Sequence, residues 1–103
     1  MDDTRYIGAH QHTIRKEIAQ LLSDEDLSAR DLSQAIGIKE KDVYHHLAHV
    51  ARSVAAQGKK LIILPFKCLA CGYVFEERRR YTRPGRCPRC KKTRVEVPLY
   101  RVA

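Results

Sequence analysis

All four cysteines of this 103-residue chain fall in two Cys-x-x-Cys pairs, Cys68-Leu-Ala-Cys71 and Cys87-Pro-Arg-Cys90, with fifteen residues between the pairs. Two residues between paired cysteines let one tight turn aim both sulfurs at a single ion. The longer gap lets a second turn close the site from the opposite side. The spacing predicts a tetrahedral zinc site with Zn–S bonds of about 2.3 Å. All four positions are sulfur, so no place is left for water, and the expected role is structural. Gly72 suits the first turn, where the residue after the pair often needs a positive φ. Lys91 holds the matching position after Cys90 and makes the second turn less favourable.

Iron is the alternative metal. Cys-x-x-Cys-Gly and Cys-Pro-x-Cys also occur in rubredoxins, but those proteins are usually acidic and carry glycine after the second pair. Disulfides are not expected, because nothing marks the chain as secreted. The start, Met1-Asp-Asp-Thr-Arg5, is acidic and unlike a signal peptide, and no run of 18 apolar residues exists. Reduced cysteines without a signal predict a cytoplasmic protein with no membrane span.

The net charge of +8 is unevenly placed. Residues 1–58 carry a net −2 and residues 59–103 a net +10. A basic half of this kind points to a polyanion, most often nucleic acid. A segment as short as the basic half buries too little apolar surface to fold reliably alone, and a metal is the usual remedy.

The elements that must carry these charges emerge from periodicity. Tyr6 and Ile7 are the large apolar residues of the first dozen and can pack on the helix after them, while His10 and His12 read as exposed polar residues. Ile14, Ile18, Leu21 and Leu22 share one face of a helix over Thr13–Leu22, and Ser23–Asp26 reads as a loop. Ser28 and Asp31 have capping-box spacing, with Leu27 and Leu32 as a hydrophobic staple. Leu32, Ala35 and Ile36 continue that second helix until Gly37 stops it. Val43, Leu47, Val50 and Val54 mark a long third helix that Gly58 ends, although Lys39 is a poor cap. Lys41, His45, Ala48, His49 and Arg52 lie on its other side, with His46 and His49 flanking the buried stripe as structural hydrogen-bonding groups. Strands are expected at Leu61–Phe66, limited by Pro65, at Tyr73–Phe75, and at Arg94–Val102, where Pro98 interrupts.

Ser28–Leu47 resembles a helix-turn-helix, on Leu32, Gly37 in the turn, Val43 and Leu47. It departs at Ser33, where the motif prefers alanine. With the ribbon in view, residues 13–102 resemble a family of predicted prokaryotic transcriptional regulators that join a helix-turn-helix to a C-terminal zinc ribbon. The resemblance rests on Val43-Tyr-His-His-Leu-Ala-His-Val50, on Phe66-Lys-Cys-Leu-Ala-Cys-Gly-Tyr-Val-Phe75 and on Arg86-Cys-Pro-Arg-Cys90. It implies an α+β fold, an N-terminal three-helix, winged-helix-like domain followed by a small antiparallel β zinc ribbon; the stop at Gly58 and the change in charge put the first over residues 1–58 and the second over 59–103, and the strands flanking the ribbon are expected to pair as the base of a wing.

The resemblance further implies binding to double-stranded DNA with one structural zinc held by Cys68, Cys71, Cys87 and Cys90. The second helix of such a motif enters the major groove. That places Lys39, Lys41, Tyr44 and His45 near base edges and Arg52 near a phosphate. Arg78, Arg79 and Arg80, with Arg83 and Arg86 beyond them, would meet phosphates from the ribbon tip. A zinc-ribbon adaptor docking on a larger protein or RNA machine is the other reading, and homodimerisation is left open. No nucleophile–base pair, phosphate loop or open metal position argues for an enzyme.

Overall fold

The computed structural model describes the backbone of residues 3–76 and 80–103 and the side chains of 11–76 and 80–103. The expectations placed on Arg78 and Arg79, and on the side chains of Tyr6, Ile7 and His10, lie outside these. Three helices come first: α1 (Asp3–Asp24), α2 (Ala29–Ile36) and α3 (Glu40–Ala55). Four short strands come after them: β1 (Leu61–Ile63), β2 (Phe66–Lys67), β3 (Val74–Phe75) and β4 (Tyr100–Val102). The fold is α+β, as the resemblance implies. Among the described residues no helix is long and apolar enough to cross a membrane.

α1 starts earlier and ends later than its apolar pattern suggests. Ser23, expected to start a loop, stays within the helix, its hydroxyl satisfied by donating back to the Ala19 carbonyl at 2.7 Å. α2 begins with a complete capping box. Asp31 N–H donates to Ser28 Oγ at 3.1 Å and Ser28 N–H to Asp31 Oδ2 at 3.0 Å, so the shorter acid serves where glutamate is usual. Gly37 ends it with φ 82°, a left-handed conformation that glycine adopts most readily. Ser33 explains the motif's missing alanine: its hydroxyl donates to the Ile38 carbonyl at 2.5 Å and closes the turn between the helices. α3 has no side-chain cap at Lys39, and Glu40 and Asp42 in its first turn offset the helix dipole instead.

Ile14, Ile18 and Leu22 of α1, Ala29 and Leu32 of α2, and Val43, Leu47, Val50 and Val54 of α3 form one core. Tyr100 and Val102 of β4 are buried in the same core, with Leu61 and Ile63 of β1 packed against it. β1 and β4 pair antiparallel in the register Leu61↔Val102, Ile62↔Arg101, Ile63↔Tyr100. Tyr100 also forms a bridge with Leu27, so the α1–α2 connection lies along the other edge of β4. Arg101 secures that corner with a two-pronged ion pair to Asp26 at 2.7 Å.

The two long strands expected on either side of the ribbon are each cut short. β1 stops before Pro65, and residues 94–99 are irregular up to Pro98. A proline removes a ladder donor, so both chains leave the core sheet at the same level and enter the ribbon. There β2 pairs with β3, Phe66↔Phe75 and Lys67↔Val74, and Cys68 bridges Val95. The ribbon has its own small core of Phe66, Cys68, Cys87 and Val95, with Phe66 and Phe75 stacked at 4.6 Å. The chain is elongated, with extents of 52 × 30 × 19 Å and a radius of gyration of 15.0 Å, against about 13 Å for a compact chain of this length.

Candidate metal centre and third helix

The two cysteine turns are built alike. In the first, Gly72 N–H donates to the Cys68 carbonyl at 2.9 Å and Cys68 N–H to the Tyr73 carbonyl at 2.8 Å. In the second, Lys91 N–H donates to the Cys87 carbonyl at 2.9 Å and Cys87 N–H to the Lys92 carbonyl at 2.9 Å. Both turns need a left-handed residue, supplied by Gly72 at φ 80° and by Lys91 at φ 65°. Lys91 is the one non-glycine residue with positive φ among those described, which bears out the less favourable second turn.

The four sulfurs lie within 4.8 Å of one another. Cys68 Sγ to Cys90 Sγ and Cys71 Sγ to Cys87 Sγ are both 3.6 Å. A tetrahedron of sulfurs about 2.3 Å from zinc has edges of about 3.8 Å, so the cage fits one ion of that size. The thiols are unequal. Burial raises Cys68, but the main-chain N–H groups of Cys71 and Ala70 outweigh it and bring the thiol to about 7. Cys71 accepts from Tyr73, which lowers it, yet burial and the thiols of Cys87, Cys90 and Cys68 lift it to about 11. Four sulfurs this close do not all ionise without a cation among them, and one metal ion held there would supply that charge.

α3 presents four sides. Val43, Leu47, Val50 and Val54 face the core. His46 and His49 face α1, where Arg15 Nε donates to His46 Nδ1 at 3.2 Å. Tyr44 is half-buried, packed against the core edge beside the ribbon segment that carries Tyr81 and Arg83. The fourth side, Lys41, His45, Ala48 and Arg52, is exposed, and Lys39 is exposed just before the helix. So Lys41, His45 and Arg52 are brought into one line and Lys39 lies at its head. Tyr44 stands apart from them, and Arg80 lies on the ribbon, exposed. Arg83, expected beside the duplex, is turned onto the ribbon itself, its guanidinium donating to the Val95 carbonyl at 2.8 Å. Sequence periodicity carries no signal for Arg15, Tyr81 or Tyr100, because each acts through contacts distant in the chain.

The His46 environment has a consequence for pH. Burial, together with the positive charge of Arg15, holds His46 below its ordinary value of 6.5, and Arg15 and then burial do the same to His49. The charges around them are Arg15 on α1 and His45, Asp42 and Arg52 on α3. A histidine depressed in the folded state binds its proton more readily when unfolded. Its contribution is therefore full above the unfolded value and is lost as pH falls through 6.5 and below. The urea midpoint is expected to drop between pH 7.5 and pH 5.5, and His46→Gln to show a smaller drop. An unchanged drop would place the linkage elsewhere.

A helix-turn-helix whose core is completed by a two-stranded hairpin, with a four-cysteine ribbon between the strands, defines a winged-helix-like protein with a zinc-ribbon fold at its C-terminal end. Residues 13–62 match the model of the PF0610-like N-terminal family. The chain is also similar to the solution NMR structure of protein PF0610 from Pyrococcus furiosus, at 29% identity over 89% of this chain and 90% of that one, with a TM-score of 0.74. No curated protein matches the chain.

Proposed function

We propose that this protein is a cytoplasmic, non-catalytic transcriptional regulator that binds double-stranded DNA and carries one structural zinc. The observation that carries the reading is the stripe Lys41, His45, Ala48 and Arg52 on α3. It is the side of the motif's second helix left open when core, α1 and ribbon have taken the others. A helix placed this way presents its first turns to base edges and its later turns to phosphate. The net +10 of residues 59–103 supports it, because basic side chains on the ribbon add affinity for any duplex. Zinc is favoured over iron by the basic surroundings of the cage and by Lys91.

Selection of bound duplexes from a random pool tests the reading. Lys41→Ala and His45→Ala are expected to change which sequences rank highest, since a lost bidentate base contact costs about 1–3 kcal/mol of discrimination. Two variants that rank the same sites as the parent would mean that α3 does not read bases. A second reading is favoured by Leu69, Val74 and Val97, apolar residues of the ribbon region exposed by 56%, 46% and 46%. Such side chains suit a protein partner, and a parent that selects no preferred sequence would support that adaptor role.

A further inference from the structure

Away from the cysteine cage, α3 carries three imidazoles close together, His45, His46 and His49. His45 and His49 are four residues apart, so their side chains stand one above the other on the helix. Their rings meet edge to face, with centres 5.2 Å apart and planes at 66°. Two imidazoles that share one ion at about 2.1 Å, with a tetrahedral angle between them, have ring centres about 5.3 Å apart. The pair already stands at that spacing. His46 is engaged elsewhere: it is buried, its ring centre lies 5.8 Å from that of His45, and its Nδ1 accepts from Arg15 Nε at 3.2 Å. His45 is exposed and His49 half-buried. An ion between them is therefore reached from solvent and keeps water in its remaining positions.

We propose that His45 and His49 form a second metal site, a two-histidine chelate for a late first-row divalent ion such as Ni²⁺, Cu²⁺ or Zn²⁺. Imidazole is a preferred ligand of these ions. The site contrasts with the cage in every respect: nitrogen for sulfur, two protein ligands for four, and open to water. Arg52, three residues beyond His49, and Arg15, bound to His46, oppose a cation and keep its affinity modest. Occupancy is then reversible, which suits regulation rather than folding. The regulatory consequence rests on the DNA-binding reading of α3, whereas the site itself does not. His45 belongs to the stripe assigned to base edges, and His49 does not. An ion draws the His45 ring along the helix toward His49 and withdraws its nitrogen from a base. The helix then reads one base edge fewer, so metal concentration selects between two DNA preferences.

The test uses the full chain charged with one equivalent of zinc and then titrated with Ni²⁺. Calorimetry reads the affinity, and NMR reads which imidazole signals the paramagnetic ion broadens. One further Ni²⁺ per chain is expected, with the strongest broadening at His45 and His49. Two linked ligands bind about a hundredfold more tightly than one. His49→Gln is therefore expected to weaken Ni²⁺ by about that factor and to keep its zinc. His45→Gln carries the same expectation, and because His45 is exposed it keeps the fold should His49→Gln lose it. His12→Gln, an exposed change on α1, is expected to bind Ni²⁺ as the parent does. Parent affinity in both His45→Gln and His49→Gln overturns the site, as does broadening strongest at His12. Duplex selection is then run with and without Ni²⁺. The parent is expected to change its ranking of sites and His49→Gln to keep it. A parent that binds Ni²⁺ with its ranking unchanged overturns the regulatory step. A parent that selects no duplex even without Ni²⁺ overturns the DNA-binding reading alone, and the calorimetry still decides the site.

Discussion

Cys87→Ser is expected to lose the metal and unfold residues 66–95 while most of the helical signal survives. The ribbon core has four buried members, Phe66, Cys68, Cys87 and Val95, and two of them are ligands. Apart from its cysteines, this core has one buried phenylalanine and one buried valine, with Ile63, Tyr73 and Phe75 only partly buried against them, too little to offset the entropy of ordering the segment. Metal binding would supply the difference: structural zinc sites in small peptides are worth about 10–16 kcal/mol, comparable with the whole stability of an ordinary domain. A serine oxygen does not replace a thiolate in a cage cut for sulfur. The helical core draws on α1, α2, α3, β1 and β4, and none of its buried members is a ligand. Elemental analysis with far-ultraviolet dichroism checks both halves of the expectation. Full metal content in the variant, or a ribbon whose amides stay protected, would contradict it. Iron in the parent would change the metal but not the cage.

Tyr100→Ala is expected to do the reverse and unfold the helical half. Tyr100 is fully buried at the centre of that core. Its main chain pairs with Ile63 on one side and exchanges hydrogen bonds with Leu27 on the other, donating at 2.8 Å and accepting at 3.3 Å. Its hydroxyl reaches the Tyr81 carbonyl. Truncating a buried aromatic ring costs about 3–5 kcal/mol, a large share of a small domain's stability. Tyr100→Phe keeps the ring and loses one hydrogen bond, about 1 kcal/mol. Urea denaturation should therefore give a small shift for Phe and a collapse of the transition for Ala. If the Ala protein melts with the parent, the three helices form their core without β4.

What is legible in the sequence is local. The cysteine spacing announces the cage because each pair of ligands lies within a single turn. Ser28, Asp31 and Gly37 mark the ends of α2 because caps act over three or four residues. Ile18, Leu32, Val43 and Leu47 can be assigned to a core from their spacing alone. The misses have a common cause. Ser33 looks like a defect in the motif until its hydroxyl is seen on the Ile38 carbonyl. Pro65 and Pro98 read as separate interruptions, although together they mark the level at which two paired chains change sheets. Tyr100 reads as one residue of an alternating strand, because its importance comes from Leu27, Ile63 and Tyr81, all far away in the chain. Charge points Arg83 toward a phosphate and does not reveal that its guanidinium turns back onto the Val95 carbonyl.

The pairing of β1 with β4 across the whole ribbon also has an entropic meaning. Before Ile63 can meet Tyr100, the chain between them must close as a loop, and in an unfolded ribbon that loop wanders freely. A metal gripped by Cys68 and Cys90 would pinch it near both ends, leaving only short arms to be closed. Loop closure varies slowly with length, and each halving of the free length is worth about 0.6 kcal/mol. An ion in the cage would thus lend stability to helices it never touches, by shortening the search their last strand must make.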